Sequence, residues 1–296
     1  MDSGNLCDVL AWACRCVCAR GFGASGKRAD VVRSARTAQG PRPARDGRSV
    51  EPVEIGCGAR PVGLLPYREG SRGDRMTRVL TAGRKEPVSG ETRSAVVFLH
   101  GYGANGADLL GLADPLGEHL PDTLFVAPDA PEACAGAPFG FQWFPIPWID
   151  GSSEEESMAG MARAVDDLNA FLDALMVDED LLPEQVVLFG FSQGTMMALH
   201  VAPRREDPIA GLVGFSGRLL APELLADEVV SRFPVLLVHG DQDDVVPVQS
   251  LPAAAEALQE AGWEDFFAHI MKGTAHGIAP DGLSVALAFM RDKCSL

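Results

Sequence analysis

The stretch from Val186 to His200, VVLFGFSQGTMMALH, constrains what this chain can fold into more than any other. Val186 to Phe189 is a run of four apolar residues, which reads as a short buried strand. Gly190-Phe191-Ser192-Gln193-Gly194 then fits the pattern G-x-S-x-G, and Thr195 to His200 reads as the start of a helix. Strand, sharp turn and helix in that order put a serine at the apex of a strained elbow, its hydroxyl clear of the sheet. Glycines belong at 190 and 194 because side chains there would collide with the neighbouring strand and helix. The helix begins directly after Ser192, so its unpaired N–H groups face the reacting centre. The bland alternative is an incidental serine, since a chain with 32 glycines meets the pattern by chance. Partners at other strand ends decide between the two.

Those partners emerge along the chain. Ala95 to Leu99 is a buried strand that runs into the turn His100-Gly-Tyr-Gly103, followed by an apolar helix around Leu109 to Leu120. Thr123 to Val126 is the next strand, ending at Pro128-Asp-Ala-Pro131. Glu132 to Ser153 is irregular and dense in Gly, Pro and aromatics. Glu154 to Met176 reads as an amphipathic helix whose acidic opening suits a helix N-terminus. Past the elbow, strands are expected at Gly211–Phe215, Val235–Val238 and Asp265–Ile270, with helices at Pro222–Val229, Ala253–Ala261 and Leu283–Met290. Short apolar strands alternating with helices predict an α/β fold with a mainly parallel sheet covered on both faces.

In such sheets ligands bind at the carboxyl ends of the strands. Ser192, the cluster Asp241–Asp244 and His276 each follow a predicted strand directly, so they share one edge. Their order, Ser…Asp…His, is that of an α/β-hydrolase. A serine hydroxyl needs a base to take its proton, and that base needs a carboxylate to orient it. His100 and His239 also stand at strand ends, where each could act as a base or support a turn. His276 is favoured by its small-residue loop after the last strand. The acid is open among Asp241, Asp243 and Asp244 on composition alone. Two N–H donors for a developing oxyanion are expected from the backbone of Gln193, after the serine, and of Tyr102, in the early glycine turn. The loop from Phe139 to Trp148 holds five aromatic rings, and we expect Trp143, Phe144 and Trp148 to wall an acyl pocket.

The segments Phe98-Leu-His-Gly-Tyr-Gly103, Pro128-Asp-Ala-Pro131, Gln142-Trp-Phe144, Gly190-Phe-Ser-Gln-Gly194, His239-Gly-Asp-Gln-Asp243 and Gly273 to His276 together resemble the phospholipase/carboxylesterase family of α/β-hydrolases. That family includes the acyl-protein thioesterases, and its bacterial carboxylesterase branch looks most similar. The resemblance spans about residues 76–293. It implies Ser192, Asp243 and His276 as the triad, with the Tyr102 and Gln193 N–H groups as oxyanion hole. It further implies a hydrolase of small carboxylic esters without a large cap domain and without a metal or organic cofactor. Lysophospholipase or thioesterase activity is the nearest alternative, and a catalytically silent binding protein is the alternative of another class. The stretch Phe144-Pro-Ile-Pro-Trp-Ile-Asp150 departs from the shorter thioesterase segment.

Charge narrows the partners. The net charge of −16 is uneven: residues 1–75 hold 13 basic and 8 acidic side chains, and the remainder holds 12 and 33. A body this acidic argues against nucleic acid and anionic membrane surfaces, and for a neutral small-molecule ester. No run of residues is long and apolar enough for stable membrane insertion. Five of seven cysteines lie before residue 75, and only Cys134 and Cys294 belong to the body, which suits a reducing cytoplasm. Residues 1–75 lack a sustained period and are expected to be a disordered extension or the product of a misplaced start, with Met76 opening a catalytic domain over 76–296. Monomer and homodimer are both compatible with this reading.

Overall fold

The computed structural model describes residues 77–134 and 136–296. The expected N-terminal extension and the start at Met76 lie outside these residues. In chain order the elements are β1 (Ala82–Lys85), β2 (Ser94–Leu99), α1 (Gly106–Leu110), α2 (Ala113–Gly117), β3 (Thr123–Pro128), β4 (Glu132–Ala133), β5 (Phe141–Gln142), α3 (Pro147–Asp150), α4 (Glu154–Asp178), β6 (Val186–Phe191), α5 (Gln193–Val201), β7 (Gly211–Phe215), α6 (Pro222–Glu228), β8 (Val235–Gly240), α7 (Ser250–Glu260), β9 (Phe266–Met271) and α8 (Pro280–Lys293).

Seven strands form one sheet in the order β1-β3-β2-β6-β7-β8-β9. Every pair is parallel except β1 with β3. The central strands are buried on both sides, which is why they read as unbroken apolar runs. Successive side chains point to opposite faces. Ala95, Val97 and Leu99 of β2 therefore join the core under α4, α5 and α7, whereas Val96 and Phe98 join the core under α1, α2 and α8. On the second face, Phe98 stacks on Phe125 at 5.8 Å and meets Phe189 edge-on at 5.2 Å, and Phe189 lies 5.1 Å from Phe215. Each such buried ring contributes about 1.5–3 kcal/mol.

The chain lays β3 on one side of β2 and β6 on the other, so the strand order reverses between β2 and β6. The crevice outside the carboxyl ends at such a reversal is where open α/β sheets hold ligands. The expected single helix over Leu109–Leu120 is instead two short ones, α1 and α2. Pro115 has no N–H to donate to the residue 111 carbonyl, so one continuous helix is not available. Strand β1 was not anticipated. Its residues Ala82-Gly-Arg-Lys85 are mostly exposed and carry no apolar alternation, so only pairing with β3 defines it.

Gly194 tests this packing. A Cβ on it would stand 1.8 Å from the Leu99 carbonyl oxygen of β2, whereas one on Gly111, at φ −59°, would meet nothing within 4 Å. Gly194→Ala should cost about 3 kcal/mol by overpacking, a fall in melting temperature of roughly 6–12 °C. Gly111→Ala should be neutral or slightly stabilising. Thermal melts followed by circular dichroism compare the two; equal melting temperatures would refute the close approach of α5 to β2.

Candidate active site

Ser192 sits between β6 and α5 at φ 54° and ψ −115°, a region L-residues other than glycine rarely occupy. Its N–H donates to the Phe215 carbonyl at 2.8 Å, and its own carbonyl accepts from Met196 N–H at 3.2 Å. The glycines on either side make the turn possible. A Cβ at Gly190 would press within 2.5 Å of the Thr195 backbone, and the one at Gly194 would enter β2. The serine is therefore fixed at the N-terminus of α5, beside N–H groups that have no partner within the helix.

The next two loops along the sheet edge are sewn together. Asp241, after β8, accepts through Oδ1 from Gly273 N–H at 2.7 Å. Asp241 N–H donates to the Met271 carbonyl at 3.1 Å, and Gln242 N–H to that of Thr274 at 2.9 Å. This brings Asp243 to His276: Oδ2 lies 2.8 Å from Nδ1. The other oxygen, Oδ1, accepts from Val245 N–H at 3.0 Å and Val246 N–H at 2.8 Å. His239 Nε2 donates to the Val246 carbonyl at 2.8 Å and stands 3.3 Å from Asp243 Oδ2. Burial alone would raise the Asp243 pKa. The donors His239, His276 and Val246 overcome it and hold the carboxyl well below the usual carboxylate range. An ionised Asp243 can only accept, so the proton between it and His276 is on Nδ1, and Nε2 is the nitrogen turned away from the carboxylate. The His276 ring packs 4.9 Å from the ring of Phe191, the residue before Ser192. Asp244 is exposed.

The turn after β2 closes the other side. A Cβ on Gly101 would lie 3.2 Å from Ser192 Cβ, so this turn packs against the elbow. Gly103 N–H donates to the Phe141 carbonyl at 2.9 Å and Ala104 N–H to that of Gly101 at 3.2 Å, while Tyr102 N–H has no acceptor among the described residues. His100 is fully buried, and burial lowers its pKa. Its Nε2 accepts from Ala130 N–H at 2.9 Å, so Nδ1 carries the proton and donates to the Gly101 carbonyl at 2.8 Å. Both ring nitrogens of His100, and Nε2 of His239, are thus committed to holding loops.

The phospholipase/carboxylesterase family model matches residues 86–294. The chain belongs to the phospholipase/carboxylesterase family. The crystal structure of esterase PE8 is 44% identical, at a TM-score of 0.69, over 73% of this chain and all of that one. Acyl-protein thioesterase 1 of Saccharomyces cerevisiae is 29% identical over 214 residues, 69% of this chain and 94% of the yeast protein. The structure of Zea mays acyl-protein thioesterase 2 shares the fold at 23% identity and a TM-score of 0.59, over 72% of this chain and 99% of that one. The α/β-hydrolase fold is common to them, and no large cap interrupts the described residues.

Within this family frame the aromatic loop divides in two. Trp143 is fully buried in the core and is not among the residues of the groove that Phe144 and Trp148 line, its indole N–H donating to the His100 carbonyl at 3.0 Å. A buried indole needs that acceptor, and the carbonyl at the end of β2 supplies it. Phe144 and Trp148 do line a groove of about 140 Å³, together with Ile146, Met158, Met161 and Arg218. Trp148 is 71% exposed and lies 5.2 Å beneath the Arg218 guanidinium. The side chain of Gln193 clamps the loop in place. Its Oε1 accepts from Trp143 N–H at 3.0 Å and its Nε2 donates to the Phe144 carbonyl at 2.7 Å. Tyr102 reaches the same loop from the other side, its hydroxyl donating to Asp150 Oδ2 at 3.2 Å. Burial first, then Cys134 and Asp150, hold the Tyr102 phenol well above its ordinary pKa, so it remains a donor.

Three contributions escaped the sequence reading. The Gln193 clamp and the His239 support of Asp243 carry no local signal, since both depend on strands far apart in the chain. Ser216 is the third: fully buried at φ 48°, its N–H donates to Val238 O at 2.8 Å, and its hydroxyl has no partner among the described residues.

Two outcomes check this geometry. Gln193→Ala leaves a buried N–H and a buried carbonyl unpaired and should cost about 2–4 kcal/mol, read as a lowered denaturant midpoint; an unchanged midpoint would count against the clamp. Asp243 has a depressed folded-state pKa, so its contribution to stability is complete above the unfolded value of about 4 and disappears as pH falls through the folded value. The stability difference between wild type and Asp243→Asn should therefore be constant near neutrality and shrink below about pH 4. A difference that grows on acidification would contradict the bonding of this carboxylate.

Proposed function

We propose that the protein is a serine carboxylesterase in which Ser192, His276 and Asp243 form the triad. The observation that carries this reading is the ionised, donor-saturated Asp243 carboxylate 2.8 Å from His276 Nδ1, at the sheet edge that also holds the strained Ser192. In its neutral form His276 takes the Ser192 Oγ proton on Nε2 as the oxygen bonds to the ester carbonyl carbon. The oxyanion so formed is stabilised by the N–H groups of Gln193 and Tyr102. The carbon–oxygen bond to the alcohol then breaks, and the imidazolium returns its proton to the departing alkoxide. Water repeats the sequence on the acyl-serine and releases the acid.

Family membership supports ester-bond chemistry, and the 44% identity with an esterase exceeds the 29% with a thioesterase. Thioester hydrolysis by the same residues is the second reading, supported by the thioesterase relatives. The groove, at about 140 Å³, is smaller than the roughly 300–1,000 Å³ of pockets that enclose drug-sized ligands. An acyl chain that enters this groove is therefore expected to be short. No helix of the described residues is long and apolar enough to cross a membrane, and Cys134 and Cys294 are not in a disulfide, which is compatible with a cytoplasmic setting.

Ser192→Ala should lose several orders of magnitude in kcat on p-nitrophenyl esters, and a fluorophosphonate probe should label the wild type at Ser192 alone. Asp243→Asn should lose about 10⁴-fold, whereas Asp244→Asn should stay near wild type. Across p-nitrophenyl esters from acetate to palmitate, kcat/KM should rise with the first methylenes and then fall. Labelling elsewhere, or a maximum at palmitate, would reject the assignment.

A further inference from the structure

The groove lined by Phe144 and Trp148 is apolar except at one point. Its rims both start at residues that touch the elbow: Phe144 through the Gln193 clamp, and Arg218 through Gly217, where a Cβ would lie 2.9 Å from the Ser192 carbonyl oxygen. Between them stand Ile146, Met158, Met161 and Leu220. The hydroxyl of Ser157, also on the groove, is already donated to the Pro145 carbonyl at 2.7 Å. Arg218 is therefore the one charged side chain on this surface.

Among the described residues it has no carboxylate partner, which runs against the rest of the body. Acids outnumber bases there 33 to 12, and nine of the twelve cations pair with a carboxylate among the described residues. Arg218 pairs with none and rests on the face of Trp148. Stacking through the face does not use the planar fork of N–H donors at the guanidinium edge, and Arg218 is among the residues that line the groove.

Building on the esterase reading, we propose that Arg218 receives a carboxylate of the substrate, so that the groove takes an ester whose short apolar segment ends in an anionic group. The acidic body disfavours anions at a distance, but that field is screened beyond about 8 Å at physiological salt, whereas a guanidinium in contact is not. Specificity is then set by the local cation, and the expectation of a neutral substrate is replaced by one of a mono-anionic ester. The carboxylate can belong to the acyl part or to the alcohol part.

The test measures kcat/KM on two matched pairs. Monomethyl esters of short diacids are compared with methyl esters of monoacids of equal length. Acetates of ω-hydroxy acids are compared with acetates of the corresponding alkanols. In one of the two pairs the wild type should prefer the carboxylate-bearing ester, chiefly through KM, and the pair identifies which part carries the anion. Arg218→Gln should reduce that preference ratio by about 10- to 100-fold, the loss expected for one hydrogen bond to a charged group. Arg218→Lys should restore part of it, and raised salt should weaken it. A ratio that is the same in wild type and Arg218→Gln for both pairs overturns the inference while leaving the esterase assignment standing. Absence of hydrolysis of any ester, with no fluorophosphonate labelling of Ser192, overturns the esterase assignment itself and this inference with it.

Discussion

The close approach of the α5 backbone to the end of β2 is the contact on which the site depends. It exists because residue 194 has no side chain: the Leu99 carbonyl occupies the space a Cβ would need. With α5 pressed onto the sheet, the chain leaving β6 has a single residue in which to turn. Ser192 takes up that turn at φ 54°, at a cost of about 1–3 kcal/mol. Bonds to Phe215 and Met196 hold it there. In the proposed reaction the strain has a chemical use, since it presents the hydroxyl at the N-terminus of α5.

Charge is handled by a second device. Asp243 is almost wholly buried in a chain with a large excess of acids, where an unpaired carboxylate would be expensive. Its two oxygens are instead surrounded by two backbone N–H groups and two imidazoles. Keeping Asp243 ionised also fixes a proton of His276 on Nδ1. Asp241, by bridging to Gly273, holds the two loops at the separation this requires. Of two carboxylates two residues apart, one therefore joins loops and the other faces the imidazole.

Both proposed oxyanion donors belong to residues whose side chains grip the aromatic loop. Gln193 clamps Trp143 and Phe144, and Tyr102 reaches Asp150. The loop, the N–H groups and the groove wall are thereby one mechanical unit. A shift of the loop would be felt at the backbone of Gln193 and Tyr102, the proposed oxyanion donors. The groove rim carries Arg218 and Trp148.

The sequence by itself determined the α/β order of elements, the elbow around Ser192 and the edge of the sheet where the Asp and His loops end. These follow from short-range rules: unbroken apolar runs mark strands buried on both faces, and glycines mark turns that side chains would block. Only the tertiary structure decided which aspartate faces His276, since Asp241, Asp243 and Asp244 share one loop and one chemistry. It likewise placed Trp143 in the core while leaving Phe144 and Trp148 on the groove. An aromatic run tells how much apolar surface needs cover, and the partner that covers each ring lies on a strand distant in the chain. The Gln193 clamp, the His239 support and the unpaired Arg218 were invisible for the same reason. A side chain's hydrogen-bond partners are set by which strands the sheet makes neighbours, and that is a property of the fold rather than of any local pattern.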